Sequence, residues 1–249
     1  MIDGACIDRS SLLRRLDPRG RVVVALAFAV LVAVAESFAV LAHAFALGVL
    51  LVVIAGLPAR RVFGRLAAVN IFTLLLWAMV PWATPGTPAW GIGPLTASRE
   101  GVRLCAQVTL KANAIMLATT ALLSTMSLAE LGHALWHLHV PHKLTNLFLF
   151  TARYLGLLRD EQERMRVAMR ARGFRPRADL RTWRTCGHLA GSLLVRALER
   201  SERVLLAMKG RGFRGRFYLL RHFRFAPRDA AFLATSALLL AALGLVECL

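Results

Sequence analysis

Hydrophobic positions in this chain run in long blocks, unlike the short alternations that mark strands. Five blocks stand out, at residues 22–35, 38–57, 66–83, about 104–126 and 230–246. A helix needs about 20 mostly apolar residues to cross a bilayer, so these blocks predict membrane-spanning helices. The first is short for that task and is expected to tilt, or to extend through its arginine-flanked end. The first two read as a helical hairpin turning at "ESF". Between the fourth and fifth blocks the pattern changes to helical amphipathicity. Leu155, Leu158, Met165 and Met169 fall near one helix face, with Arg159, Glu163, Arg166 and Arg170 elsewhere. Leu194, Leu198, Leu205 and Met208 repeat the design. The expected fold is therefore all-α and polytopic. Residues 1–126 hold four spans, 127–228 form a cytoplasmic arm of long helices, and 229–249 hold the last span.

Composition sharpens this. The 249 residues are 57% hydrophobic yet carry a formal charge of +18, with mean hydropathy +0.56, so apolar and basic residues are segregated. A soluble nucleic-acid binder could match the charge but not the apolar runs. Lysine occurs only at 111, 143 and 209; the other basic residues are arginines. Cys6, Cys105, Cys186 and Cys248 are scattered, which predicts neither a disulfide framework nor a zinc site.

Arginine placement predicts orientation. Arg9, Arg14, Arg15, Arg19 and Arg21 precede or enter the first block, and Arg60, Arg61 and Arg65 follow the second, while "ESF" has no basic residue. The positive-inside rule then puts the N-terminus in the cytoplasm, residues 84–101 outside, 127–228 inside and the C-terminus outside. The "AVA" before Glu36 imitates a signal-peptide cleavage site. Asp3, Asp8 and Asp17 upstream, and a second span directly after, favour an uncleaved helix.

One motif occurs twice: "AMRARGFRPR" at 168–177 and "AMKGRGFRGR" at 207–216. Gly173 and Gly212 can take the left-handed conformation that ends a helix, and Arg172 and Arg211 complement the helix dipole there. Ala171 and Gly210 are small enough for close approach, and each guanidinium can clamp a carboxylate with two parallel hydrogen bonds. Two ordinary capped helices and two docking ends both satisfy this chemistry; the duplication favours docking.

These triplets resemble the twin coupling motifs of the transmembrane component of energy-coupling factor transporters. "LDPRGRV" at 16–22, "LHVP" at 138–141 and "RYLGLLRDEQERMRVAMRARGF" are similar to other landmarks of that family, so the likeness covers nearly the whole chain. "LVRALERSERVLLAMKGRGFRG" looks most like its CbiQ branch, with Gly210 in place of alanine. The resemblance implies a non-catalytic scaffold in a bacterial cytoplasmic (inner) membrane. Ala171, Arg172, Gly173, Gly210, Arg211 and Gly212 would dock on two cytoplasmic P-loop ATPase subunits, and a separate integral-membrane subunit would capture a cobalt ion, or nickel. ATP and magnesium would reside in the ATPases, and no cofactor in this chain. The likeness leaves a small accessory membrane subunit open.

What the chain lacks agrees. It has no G-x-x-x-x-G-K-[ST] phosphate loop, no H-E-x-x-H and no G-x-S-x-G. His133, His137, His139 and His142 cluster, but without carboxylate or thiolate partners they read as interfacial residues at a helix elbow, not as a metal site. Lys111, inside the fourth apolar block, is expected to face protein, a partner subunit or a snorkelling route. Ala25, Ala29 and Ala33 recur every fourth residue, as Ala42 and Ala46 do, and together with Lys111 they are candidates for packing against the partner membrane subunit. Glu161, Glu163 and Glu202 are expected to pair with neighbouring arginines. A polytopic membrane enzyme and an anionic-lipid-binding membrane protein are the rival classes.

Overall fold

The computed structural model describes residues 16–248 apart from 86, 93–94, 139 and 214–226. The helices are α1 (Pro18–Val34), α2 (Phe38–Ala55), α3 (Ala59–Ala83), α4 (Arg99–Leu123), α5 (Leu128–His137), α6 (His142–Ala171), α7 (Leu180–Gly210) and α8 (Pro227–Cys248). Residues 84–101, for which the sequence predicts only an outside location, contain an antiparallel hairpin of β1 (Pro88–Ile92) and β2 (Leu95–Ser98), with Ile92 opposite Leu95. Among the described residues the architecture is all-helical apart from this ribbon. The chain divides into two compact units, one drawn from 3–134 and 223–249, the other from 135–222.

In the first unit α4 is the central helix, packed against α2, α3 and α1, while α8 packs on α1 and α2. Phe28, Val32, Val40, Leu41, Ala44, Ala114, Ala118 and Leu243 form the main core. Small residues make the α2–α4 contact close: a Cβ at Gly48 would lie 3.1 Å from Leu117 Cβ and 3.3 Å from the Ala114 carbonyl. At the hairpin, a Cβ on Gly101 would fall 2.2 Å from Thr84 Oγ1 and 2.8 Å from Pro81 Cα, so only glycine fits where α3 meets α4.

Among the described residues four helices, α2, α3, α4 and α8, are long and apolar enough to cross a membrane, against five expected. The difference is α1, whose 17 residues span only about 26 Å at 1.5 Å each. It does extend through Arg19 and Arg21 to Pro18, as a short first helix requires. Asp17 caps it, accepting from the Arg19 amide at 3.0 Å, and Pro18 holds the first helical position, where its missing N–H costs nothing. Arg21 is fully buried and donates from Nη1 to Thr125 Oγ1 at 2.8 Å. At the start of α5, the Ser127 amide donates to Glu130 Oε2 at 2.9 Å and the Glu130 amide to Ser127 Oγ at 3.2 Å, a reciprocal capping box.

The second unit is built on α6 and α7, 30 and 31 residues long. Thr145 is the buried residue of α6, and α7 has none. Among the described residues α7 keeps apolar side chains exposed: Leu194, Val195, Leu198 and Leu206 are all more than half exposed.

Candidate functional site: the twin arginine ends

The duplicated sequence folds into duplicated geometry. At the end of α6, Arg172 is the cap residue (φ −86°, ψ 14°) and Gly173 turns left-handed at φ 78°. The Phe174 amide donates to the Met169 carbonyl at 3.0 Å and the Gly173 amide to the Arg170 carbonyl at 2.9 Å. At the end of α7, Arg211 (φ −90°, ψ 11°) and Gly212 (φ 81°) repeat these roles. There Phe213 donates to Met208 at 3.0 Å and Gly212 to Lys209 at 3.0 Å. Both are Schellman motifs, which satisfy helix carbonyls that would otherwise lack partners. Each arginine is the cap itself, one residue past the last helical residue.

Ala171 and Gly210 are the final helical residues of α6 and α7 and occupy equivalent places. All six residues of the two triplets are exposed, while Phe174 and Phe213 are half-buried. Among the described residues no heavy atom lies within 4 Å of a Cβ built on Gly173, Gly210 or Gly212, which leaves open space at both ends. An open helix end bearing a guanidinium, with no bulk on either flank, can enter a groove and meet a carboxylate. The residues of the second repeat beyond Phe213 lie outside the described residues.

The two ends point apart. Arg196 of α7 donates to Glu161 of α6, and Ser192 Oγ lies 3.5 Å from Met165 Sδ. These contacts step in opposite senses along the two helices. A groove of about 1160 Å³ opens on one side of the crossing, lined by Phe150, Tyr154 and Leu158 before it on α6 and by Leu205 and Met208 after it on α7, with Phe213 beyond. The α7 end thus shares a side with the first half of α6, and the α6 end lies on the other. From the crossing to the cap is about 14 Å along α6 and about 26 Å along α7 at 1.5 Å per residue.

Other candidate residues take different places. Lys111 Nζ donates to the Ala33 carbonyl at 2.9 Å, a cation on one of the last carbonyls of α1. Next to it, Gln107 Nε2 donates to the Glu36 carbonyl at 2.6 Å, and the Glu247 carboxylate accepts from the Glu36 and Ser37 amides at 2.6 and 3.2 Å. Lys111 therefore has a partner within its own chain. Ala25 is buried, Ala29 half-buried and Ala33 exposed, so the three do not line one exposed face. Ala42 and Ala46 are exposed.

Trp136 Nε1 donates to His142 Nδ1 at 2.6 Å, and the Trp136 ring packs 4.6 Å from that of His137. Burial pushes the His133 imidazole below its ordinary value. His139 lies outside the described residues. Among the described residues no group of three or more His, Cys, Asp or Glu could hold a metal ion. Two features escaped sequence reading: the burial of Arg21, and the Arg196–Glu161 pair, which joins two helices where only neighbours on one helix were expected.

Comparison with known proteins places these landmarks in context. The family model described as "CbiQ: Cobalt transport protein" matches residues 9–219. An energy-coupling factor transporter transmembrane protein EcfT from Listeria innocua serovar 6a is 30% identical over 184 residues, covering 70% of this chain and 69% of its own. The protein of the same name from Thermosediminibacter oceani is 24% identical over 178 residues, covering 68% and 67%. That from Leuconostoc gelidum subsp. gasicomitatum is 26% identical over 181 residues, again covering 68% and 67%.

Proposed function

The chain belongs to the CbiQ family of cobalt transport proteins, and from that premise we propose that it couples ATP-driven motors to the import of a cobalt ion. Its relatives are energy-coupling factor transporter transmembrane proteins. In this reading the bundle of α1–α4 and α8 is the membrane scaffold, with the N-terminus and the arm in the cytoplasm of a bacterial cell. Arg172 and Arg211 dock on two P-loop ATPase subunits, one end to each. Ala171, Gly173, Gly210 and Gly212 keep the approach open. A separate membrane subunit captures the ion, cobalt before nickel, and this chain holds no cofactor.

The observation that carries the reading is the pair of identical Schellman ends, each with an exposed arginine at the cap. A cap alone needs the glycine; it does not need an arginine, a small residue and a phenylalanine copied around it. Two ends directed apart suit two separate sockets better than one continuous surface.

Affinity purification of the tagged chain from its native membrane in mild detergent, with mass spectrometry of what accompanies it, tests this. P-loop ATPases and a second polytopic protein should be recovered, and the ATPases should be lost from the Arg172→Ala, Arg211→Ala double variant. A chain that purifies alone with both motifs intact would overturn the proposal.

A further inference from the structure

We infer that Glu161 is the positioning residue of the coupling arm: bonded by Arg196 across the α6–α7 crossing, its carboxylate sets the angle at which the two arginine ends are presented. This rests on the docking reading above and adds what fixes the geometry of the two plugs.

Apolar packing does little to define the crossing, because α7 buries no residue and α6 buries only Thr145, far from it. Two smooth amphipathic helices can rotate and slide past one another at little cost. A directional polar contact at one point removes that freedom, as a single polar residue fixes register in a coiled coil. Glu161 has the environment for this. Its side chain is 19% exposed, although it stands on a solvated arm, and it is held by Arg196 and by Arg164 Nη2 at 3.4 Å. Glu163, two residues on, is the contrast: its side chain is 59% exposed and meets Arg166 of its own helix at 3.9 Å. The first joins helices; the second decorates one.

The pair also stands where a small change is amplified. With about 26 Å of α7 beyond the crossing, a rotation of ~10° there moves the Arg211 end by about 4 Å. That is comparable to the reach of a charge-assisted hydrogen bond, so an unfixed crossing would present the two guanidinium groups at variable separation.

The test uses the full chain in lipid nanodiscs, with Cys6, Cys105, Cys186 and Cys248 replaced and spin labels placed at Arg170→Cys and Lys209→Cys. Pulsed electron–electron resonance then reads the distance between the two ends. Glu161→Gln and Arg196→Gln should each broaden the distribution and shift it by several ångström, and the charge-swapped Glu161→Arg, Arg196→Glu pair should restore it. Glu163→Gln should leave it unchanged. In the assembled transporter, Glu161→Gln should retain the ATPases yet move several-fold fewer cobalt ions per ATP, with recovery in the swap. Unaltered distances in both single variants, or equal broadening with Glu163→Gln, would overturn the inference. Failure of the unmutated chain to hold ATPases would instead remove the docking reading, and the distances would still decide the role of Glu161.

Discussion

The backbone amide of Asp17 donates to Oδ1 of Asp229 at 2.7 Å in a buried contact, joining the cap of α1 to the first turn of α8 across 212 residues of chain. The bond sits at the end of the bundle where Arg21 is buried within the field of Glu130, Asp17 and Asp229. Asp229 thus serves an orphan amide and helps neutralise a guanidinium. Asp229→Ala should destabilise the chain by about 1–3 kcal/mol, while Asp229→Asn, which keeps the acceptor, should lose less. Thermal unfolding in detergent measures the difference, and equal losses would show that the acceptor is irrelevant.

Arg21 carries a larger stake. Removing one partner of a buried charge cluster typically costs about 3–5 kcal/mol, because the remaining charges stay buried without compensation. Arg21→Met, close in size, should therefore fall near that range, and truncating Thr125 to valine should cost only about 1 kcal/mol. A mild Arg21→Met phenotype in the same unfolding assay would mean that water reaches the cluster.

Glycine substitutions separate the two jobs within each triplet. Gly173 and Gly212 have φ of 78° and 81°, where a Cβ costs about 1–2 kcal/mol even though nothing would touch it. Gly210 is helical and lies opposite Ala171 in the repeat, so Gly210→Ala should be neutral or stabilise the α7 end by up to about 1 kcal/mol. Amide exchange at Phe174 and Phe213 should accelerate in the left-handed variants and slow or stay level in Gly210→Ala. Retention of ATPases should follow the same order.

Lys111→Met removes the cation from the end of α1 and should lower stability by about 1 kcal/mol, with recovery of the partner membrane subunit unaffected. Unchanged melting combined with loss of that subunit would return Lys111 to a partner-facing role.

A pH effect is expected at His133. Its folded-state value is lowered by burial, so the unfolded chain takes up a proton first as pH falls below about 6.5. The stability present above that pH is therefore lost on acidification towards the lower folded value. His133→Phe should flatten this slope in unfolding experiments between pH 5 and about 7, and an unaltered slope would assign it to other groups.

The sequence by itself determined the membrane blocks, the amphipathic arm and the two arginine ends, because each of these has a local signature. Run length predicts a span, a 3.6-residue period predicts an exposed helix, and Gly after Arg predicts a left-handed stop. The start of α1 was placed too late, at residue 22, and its cap at Asp17 with Pro18 in the first helical position went unread. Only the tertiary structure decided what the buried charges and long polar side chains do. Lys111 reaches the carbonyl of Ala33 from 78 residues away, Asp17 meets Asp229 across 212, and Arg196 meets Glu161 across 35. A charge in a sequence declares that it must be satisfied but carries no address for its partner. That address is set by which helices come together: α4 at the centre of the bundle is a product of packing, and the Glu161–Arg196 contact of a helix pair, and no local pattern encodes either.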